Sequence, residues 1–297
     1  GRDLQKKPIP RLGGVAMTIA LIVTMLLASR IPYMAPLFTT TVPWAVMAGA
    51  GAMCILGIID DIIELDWMAK LAGQILITGG MALGGVQLVT FPIFGVTIGS
   101  SRLSLFATVF IVVGIINAVN FIDGLDGLAA GVSIFVFGAY TFITYFQRIQ
   151  ACTQLGANQA NCYSTRDPLD LAIFCAALIG ALAGFLWWNA SPAQIFMGDT
   201  GALALGGAVA GLSILTQTQL LAIVVGGLFV AVVLSDVIQI GFFKATRRRI
   251  FRMAPLHHHF ELEGWKEVTV VVRFWIIQAL LMCAGLGLFY AEWVAKQ

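Results

Sequence analysis

The sequence predicts an all-α protein that crosses a membrane many times. Its 297 residues are 59% hydrophobic and only 11% charged, whereas a soluble domain carries about 25% charged residues. The mean hydropathy is +0.93. Runs without a charged residue recur along the chain, and most have the roughly 20 residues that an α-helix needs to cross a bilayer. Short strands of alternating polarity, which would indicate a membrane barrel, do not occur in the sequence.

Nine apolar segments are predicted as spans within a single integral-membrane domain, residues 1–297. Residues 200–235 are too long for one span, and the polar break Thr216-Gln217-Thr218-Gln219 divides them into two helices. In order, the spans and the residues that bound them are Leu12–Ser29 between Arg11 and Arg30, Pro43–Ile59 before Asp60, Leu71–Val89 after Lys70, Leu103–Phe121 between Arg102 and Asp123, Gly127–Gln147 before Arg148, Leu171–Trp188 after Asp170, Gly201–Thr216 after Asp199, Leu220–Phe243 before Lys244, and Val268–Trp293 after Glu267.

The basic residues indicate how these spans are oriented. The loops of one face contain Arg2, Lys6, Lys7, Arg11, Lys70, Lys244, Arg247, Arg248, Arg249, Arg252 and Lys266, and those of the other contain Arg30, Arg102, Arg148, Arg166 and Lys296. The positive-inside rule assigns the richer face to the cytoplasm. Most acidic residues lie on the same face, so we expect the chemistry at the cytoplasmic side of the cell membrane.

The cysteines and the net charge give weaker indications. Cys152 and Cys162 share a predicted external loop, where they could form a disulfide in an oxidising compartment or remain free thiols. No Cys/His spacing typical of a metal site occurs. The net charge is only +2, and no nucleic-acid partner is predicted.

Two adjacent acids, Asp60 and Asp61, end the second span in the stretch GIIDDIIELDWMAK (57–70). A carboxylate inside a bilayer costs about 2.5–3.5 kcal/mol on insertion scales, so an acid at a span end favours water, a cation or a metal. A solvated helix end would explain one of them. Because two neighbouring carboxylates repel each other, Mg²⁺ or a nearby Lys is the alternative.

Two further loops on the same face end in carboxylates. In NAVNFIDGLDG (117–127), Asp123 and Asp126 are three residues apart and are followed by glycines that let a ligand approach the backbone. In NASPAQIFMGDTG (189–201), Asp199 follows the aromatic Phe196. A turn or a helix N-cap could explain each aspartate separately. Three loops that deliver acids to one face nevertheless favour a shared acidic site.

All three histidines, His257, His258 and His259, lie in RMAPLHHHFELEGW (252–265), after a group of arginines. The arginines could anchor lipid headgroups. Three consecutive residues point in different directions on a helix, which argues against a zinc site made from this run. One or two of the imidazoles could instead bind a phosphate or pyrophosphate.

Carboxylates for a metal and basic residues for phosphate, at the level of lipid headgroups, suit phosphoryl transfer from a soluble nucleotide substrate to a lipid phosphate. A divalent metal and cationic side chains would neutralise the two anions and position the nucleophile. The alternative is a transporter with a proton relay, which requires acids at the midplane and an internal repeat. Only Asp236 lies deep in a predicted span, and no repeat is seen.

At these residues the chain resembles the polyprenyl-phosphate N-acetylhexosamine-1-phosphate transferase superfamily. PRLGG (10–14), IDD (59–61), NAVNFIDGLDGLAAG (117–131) and IFMGDTG (195–201) match its signatures in order. MAPLHHHFE (253–261) resembles its phospho-N-acetylmuramoyl-pentapeptide transferase branch. That branch moves phospho-MurNAc-pentapeptide from UDP to undecaprenyl phosphate, which gives lipid I and UMP for peptidoglycan synthesis.

The resemblance implies a fold and a set of partners. The family has ten transmembrane helices, so nine would fit the loss of the first helix, and it has a small external β-hairpin near residues 91–99. Mg²⁺ is the implied cofactor. The implied partners are UDP-MurNAc-pentapeptide or UDP-GlcNAc, undecaprenyl phosphate, and a second copy in a homodimer.

The resemblance also implies site residues. Asp199 would bind Mg²⁺, Asp60 and Asp61 would form a catalytic pair in which Asp60 orients or deprotonates the lipid phosphate, and Asp123 would be another active-site acid. Gly124, Leu125, Asp126 and Phe196 would line the uracil site. The further implied substrate-binding or catalytic residues are Lys6, Lys70, Asn120, Asn189, His257, His258 and His259.

The first third of the chain differs from the pentapeptide branch. KKPIPRLGG stands where that branch has a Gly-Thr-Pro-Thr-Met-Gly-Gly pattern, and only eight residues separate Asp61 from Lys70. Val232 replaces an expected Glu, and Asp236 follows one turn later. The first two features are more similar to the branch that transfers GlcNAc-1-phosphate for teichoic acids or other surface polymers, so that activity is the alternative. Direct attack by the lipid phosphate and a two-step route through an enzyme carboxylate are both open.

Overall fold

The computed structural model describes residues 9–35, 38, 40–89, 100–152, 162–163 and 168–295. Within them, the chain forms helices and no strand: α1 (Gly13–Ala28), α2 (Val42–Ile63), α3 (Trp67–Leu83), α4 (Ser101–Ile122), α5 (Leu128–Ile149), α6 (Pro168–Asn189), α7 (Gly198–Leu215), α8 (Gln219–Val225), α9 (Gly227–Thr246), α10 (Leu256–Leu262) and α11 (Glu267–Ala295). The hairpin predicted near 91–99 and the implied ligand Lys6 lie outside the described residues.

The predicted class, an all-α multi-pass membrane protein, is confirmed. Among the described residues, seven helices are long and apolar enough to cross a membrane, namely α2, α4, α5, α6, α7, α9 and α11, and α1 is a shorter apolar helix. Large apolar side chains point outward from the bundle, such as Phe106 at 71% and Phe110 at 73% exposed. Apolar surface of this size favours contact with lipid tails over water.

Two of the nine predicted spans differ most from the helices of the structure. The third begins earlier and ends earlier than predicted, because Asp66 accepts a hydrogen bond from the backbone N–H of Met68 (3.3 Å) and caps α3, and Gly85 turns the chain after it with φ of 101°. The eighth is divided at Gly226 into the short helix α8 and the longer helix α9. Each of the other seven predicted spans corresponds to one of the helices above, with ends that differ by at most four residues.

Helix α7 lies at the centre of the bundle and positions the site. Nearly all its residues are buried, and most of them are small. It packs mainly against α2 and α4. At Gly57 on α2, an added Cβ would lie 2.5 Å from the carbonyl oxygen of Asp199 and from Cα of Thr200. The missing side chain therefore lets the end of α2 touch the beginning of α7.

The segment before α1 is bound to the segment before α7 by backbone hydrogen bonds. The N–H of Phe196 donates to the carbonyl of Pro10 (2.9 Å), and the N–H of Gly13 donates to the carbonyl of Phe196 (3.0 Å). At the other end of the bundle, Cys152 and Cys162 are joined in a disulfide. The structure thus realises the disulfide option that the sequence left open.

Candidate active site

Four helices bring an acidic cluster together at one end of the bundle. Asp60 comes from the last turns of α2, Lys70 from α3, Asn120 from α4 and Asp199 from the first turn of α7. The Nζ atom of Lys70 lies 2.9 Å from Oδ2 of Asp60 and 2.7 Å from Oδ2 of Asp199. Asn120 donates a hydrogen bond to Oδ1 of Asp199. One lysine therefore pairs with two carboxylates that are 139 residues apart in the chain.

Asp61 makes contacts of a different kind from Asp60. Its Oδ2 atom accepts hydrogen bonds from the hydroxyl of Thr200 (2.6 Å) and from the backbone N–H of Thr200 (3.1 Å), and its Oδ1 accepts from the N–H of Asp199 (3.3 Å). These N–H groups belong to the first turn of α7, where helix donors have no partner within the helix. Asp61 therefore caps α7 from a neighbouring helix and fixes the position of Asp199.

Asp123 faces a cavity of about 330 Å³ that lies next to the cluster. Among the described residues, no group donates a hydrogen bond to its half-buried carboxyl. The protein packed around this group, and then the nearby carboxylates of Asp199 and Asp61, raise its pKa to about 7. Asp123 thus changes its charge near neutral pH, whereas Asp60 and Asp199 each form an ion pair with Lys70.

Two implied substrate residues hold the walls of this cavity in place. Oδ2 of Asp126 accepts a hydrogen bond from the N–H of Ala193 (2.9 Å). Asn189 accepts from the N–H of Gly127 (3.0 Å) and donates to the carbonyl of Ile195 (2.9 Å). They tie the loop after α4 to the loop before α7, and both also line the cavity.

The remaining wall contains an aromatic ring, a glycine and an unexpected cation. Gly124, Leu125 and Phe196, which the resemblance assigns to a uracil site, line the cavity, and Arg11 lines it as well. Within the described part of the chain, Arg11 forms no ion pair. Gly198 has φ of 69°, and an added Cβ would lie 2.6 Å from Oδ2 of Asp61. A glycine here therefore allows the chain to turn tightly into α7.

The three histidines point in different directions, as expected for consecutive residues of a helix. His257 is fully buried, and its Nε2 occupies the space where Gly124 would carry a Cβ. Burial and, to a smaller extent, the nearby charge of His258 lower the pKa of His257 to about 3. Nδ1 of His258 lies 2.6 Å from Oε2 of Glu261, and Nδ1 of His259 accepts the N–H of Arg252 (3.2 Å).

None of the histidines lines the acidic cavity among the described residues; only His257 contacts its wall, at Gly124. Their binding to phosphate stays a prediction.

The carboxylates of the cluster fit a divalent cation whose remaining ligands come from water and substrate. Among the described residues, no three His, Cys, Asp or Glu side chains lie close enough to hold a metal alone. Mg²⁺ commonly binds through one or two carboxylates together with water and substrate phosphates. Asp199 retains acceptor capacity beyond its two hydrogen bonds. The carboxyl of Asp123 lacks a donor and lies in the field of two other acids, which is a setting that a cation would stabilise.

An apolar groove of about 690 Å³ lies on the outside of the bundle near the cluster. Its walls come from α3, α4, α7, α8 and α9. Leu71, next to Lys70 in the chain, lines it, and so does Asn117, one turn before Asn120. Asn117 donates to the buried side chain of Gln74 (2.8 Å), which joins α4 to α3 here. The groove therefore lies beside the elements that hold the acidic cluster.

Three contacts at this site could not be predicted from the sequence. Thr200 has no special spacing, and its bond to Asp61 depends on the crossing of α2 and α7. Arg11 is, in the sequence, one of many basic loop residues. Glu267 accepts a hydrogen bond from the N–H of Asp126 (2.9 Å), which links the start of α11 to the cavity wall. All three depend on packing between distant segments.

The arrangement of the acids favours an enzyme over a proton relay. Asp60, Asp61, Asp123 and Asp199 meet at one end of the bundle. Asp236, the one acid deep in a predicted span, is within electrostatic range of His258. The neighbouring His257 contacts Gly124 at the acidic cavity. Asp236 therefore lies near the level of that cavity.

Comparisons with known proteins show the family of this chain. The phospho-N-acetylmuramoyl-pentapeptide-transferase of Streptomyces griseus is 48% identical, over 98% of this chain and 87% of its own length, and that of Streptomyces avermitilis is 47% identical over the same shares. The corresponding protein of Beutenbergia cavernae is 70% identical over 60% of this chain, and the match spans about half (49%) of its length. A model of glycosyl transferase family 4 matches residues 43–217. The chain belongs to glycosyl transferase family 4.

Proposed function

We propose that this chain transfers phospho-N-acetylmuramoyl-pentapeptide from its UDP-linked donor to undecaprenyl phosphate, with release of UMP and formation of lipid I for peptidoglycan synthesis. The observation that carries the proposal is the meeting of Asp60, Asp123, Asp199 and Lys70 between an acidic cavity and an apolar groove. The relatives named above, which carry this activity in their names, support the same substrates.

The two openings suit two different substrates. The acidic cavity, with the ring of Phe196 and the carboxyl of Asp126 on its walls, has the size and polarity for the nucleoside part of a UDP-sugar. The apolar groove suits the chain of a polyprenyl phosphate, whose phosphate would then lie near Lys70. The excess of basic residues on this face supports its location at the cytoplasmic side of the plasma membrane.

The side chains divide the chemistry among them. The Nζ atom of Lys70 lies between Asp60 and Asp199, and from this position Lys70 would offer its charge to the phosphates. Asp60 would orient the lipid phosphate. The pKa of Asp123, raised to about 7 by burial and by the nearby acids, means that a cation bound beside Asp199 would favour the charged form of this carboxyl. Asp199 would hold Mg²⁺, with Asp123 close by. When bound, Mg²⁺ supplies positive charge that neutralises the phosphate oxygens.

The donor can be identified by turnover of the purified protein. We expect UMP and lipid I from undecaprenyl phosphate, Mg²⁺ and UDP-MurNAc-pentapeptide, and no product from UDP-GlcNAc. Turnover of UDP-GlcNAc alone would overturn the proposal in favour of a GlcNAc-1-phosphate transferase.

A chemical cross-link between copies in the membrane would test the homodimer that the resemblance implies.

The metal role can be tested at Asp199. We expect Asp199→Asn to abolish Mg²⁺-dependent turnover while the protein stays folded. Asp66→Asn is the matched control, because Asn also caps a helix and residue 66 lies outside the cluster. Retained turnover in Asp199→Asn would remove Asp199 from the metal site.

A further inference from the structure

A second cavity, of about 720 Å³, lies along the C-terminal half of α9 and shares no lining residue with the acidic cavity or the apolar groove. Its lining includes the cations Lys244, Arg247, Arg249 and Arg252, together with apolar side chains such as Phe243. We call it the basic cavity. It combines positive charge with apolar surface, which is the combination that an amphiphile with an anionic head requires.

A side-chain clamp builds this cavity. Gln239 on α9 donates from Nε2 to the carbonyl of Phe251 (2.9 Å), and its Oε1 accepts the N–H groups of Phe251 (3.0 Å) and Ile250 (3.1 Å). Arg252 is fixed in turn, because it donates to the carbonyl of Leu262 (2.8 Å) and pairs with Glu263 (2.7 Å). The segment after α9 is thereby held against the helix, and its arginines line one shared space.

The charges inside the basic cavity are not balanced by the protein. Within the described part of the chain, Lys244, Arg247 and Arg249 form no ion pair, whereas Arg252 pairs with Glu263. The one acid in the lining is Asp236. Its Oδ2 atom is buried and has no hydrogen-bond partner, so it can accept a hydrogen bond from a ligand that carries a hydroxyl group.

The surroundings of the basic cavity indicate lipid. The half of α9 that carries it exposes large apolar side chains, including Val237 at 60% and Ile240 at 55%. The basic residues follow directly after this apolar stretch. Apolar side chains that give way to lysine and arginine are typical of a helix at the boundary between lipid tails and headgroups.

We propose that the basic cavity binds the headgroup of an anionic phospholipid with free hydroxyl groups. The phosphate would contact Lys244, Arg247 and Arg249, a headgroup hydroxyl would donate to Asp236, and the first acyl carbons would lie against Phe243. The polyprenyl phosphate of the proposed reaction has its own groove on α3, α4, α7, α8 and the first half of α9. The basic cavity therefore serves a lipid of the surrounding membrane and does not depend on the proposed function.

Binding of phosphatidylglycerol to single-residue variants tests this assignment. Arg249 lines the basic cavity, and the adjacent Arg248 has the same charge but does not line it. The full-length protein in nanodiscs of phosphatidylglycerol and phosphatidylcholine would be analysed for retained lipid by native mass spectrometry. We expect Arg249→Gln to weaken retention of phosphatidylglycerol about fivefold, and Arg248→Gln by less than about twofold. Equal losses in both variants would overturn the proposal in favour of diffuse attraction.

Three further ligands define the chemistry. Phosphatidylmethanol has the same charge as phosphatidylglycerol but no headgroup hydroxyl, and we expect it to bind about fivefold more weakly. Equal binding of the two lipids would overturn the contact with Asp236. Displacement of phosphatidylglycerol by inorganic phosphate or by the UDP-linked donor at millimolar concentration would overturn the assignment to a lipid. Turnover measured on the same samples separates failure here from failure of the proposed reaction.

Discussion

At the scale of single residues, the site combines three carboxylates that contact a lysine or a hydrogen-bond donor with one carboxylate, that of Asp123, that contacts neither within the described part of the chain. Lys70 joins Asp60 to Asp199, and the cap of α7 occupies Asp61. Asp123 is left without a donor among the described residues. The acids at this end therefore differ in role although they are of one residue type, and the role follows from the neighbours of each.

We expect Thr200→Val to lower turnover about tenfold and the unfolding free energy by about 1 kcal/mol. The substitution removes the hydroxyl that donates to Asp61 and leaves the shape almost unchanged, and a net hydrogen bond contributes about 1 kcal/mol. Steady-state kinetics and thermal unfolding would measure the two effects. Thr144→Val is the control, because within the described part of the chain this hydroxyl bonds only to carbonyl groups of its own helix, α5. An equal change in both variants would contradict a positioning role for Thr200.

We expect Asp123→Asn to stabilise the protein above pH 7 in buffer that contains a metal chelator. The pKa of Asp123 is raised from 3.8 to about 7, so the folded state binds more protons than the unfolded state between these values. The stability of the wild type therefore falls as the pH rises through this window and stays lowered above it. Thermal unfolding would show a higher Tm for the variant at pH 8 and equal values below pH 4. A variant less stable at pH 8 would contradict this.

Much of the residue-scale chemistry could be predicted from the sequence, and the limits have physical causes. Asp60, Asp123 and Asp199 lie at span ends that share one face, so we could expect them to lie close together. The partner of each acid could not be predicted. Whether a carboxylate caps a helix or contacts a lysine depends on the rotation of each helix, and apolar spans carry little information on rotation.

At the scale of helices, close approach of backbones sets the site. Gly57 lets α2 touch the first turn of α7, and this contact places Asp61 at the N–H groups that it caps. The positions of the spans could be predicted from charge-free runs. The division of the eighth span at Gly226 could not, because glycine is common in membrane helices and most glycines there do not interrupt the helix.

We expect Gly57→Ala to lower turnover at least tenfold and to reduce thermal stability, because the added methyl group would meet the backbone of α7 at 2.5 Å. Gly51→Ala on the same helix is the matched control, since its Cβ would meet no atom within 4 Å. Alanine also has the higher helix propensity, so the control should be neutral or slightly stabilising. Equal effects at both positions would show that the contact of α2 with α7 does not set the site.

At the scale of the whole molecule, the chemistry and the disulfide lie at opposite ends of the bundle. Helix α5 has 22 residues, and it runs from Leu128 beside the acidic cavity to Ile149 near Cys152. At 1.5 Å per residue, this separates the two features by about 33 Å. The sequence predicts the two features on opposite faces, because one predicted span separates them in the chain.

We therefore expect the double variant Cys152→Ser/Cys162→Ser to lose stability and to keep its turnover. The cysteines are 10 residues apart, and closing a loop of this length stabilises a protein by about 3 kcal/mol in the chain-entropy account. The measurements are the Tm and kcat of the purified variant, with Cys175→Ser as a control for thiol loss inside the bundle. A large fall in kcat without unfolding would show coupling between the two ends.

The contact of Gly124 with His257 has a consequence for how such a chain can change over generations. The imidazole fills the volume that any larger residue at 124 would need. Lineages that acquire a side chain at 124 must accordingly trim or shift the ring at 257. The wall of the acidic cavity at Gly124 and the helix α10 at His257 must therefore change together, although 133 positions separate them.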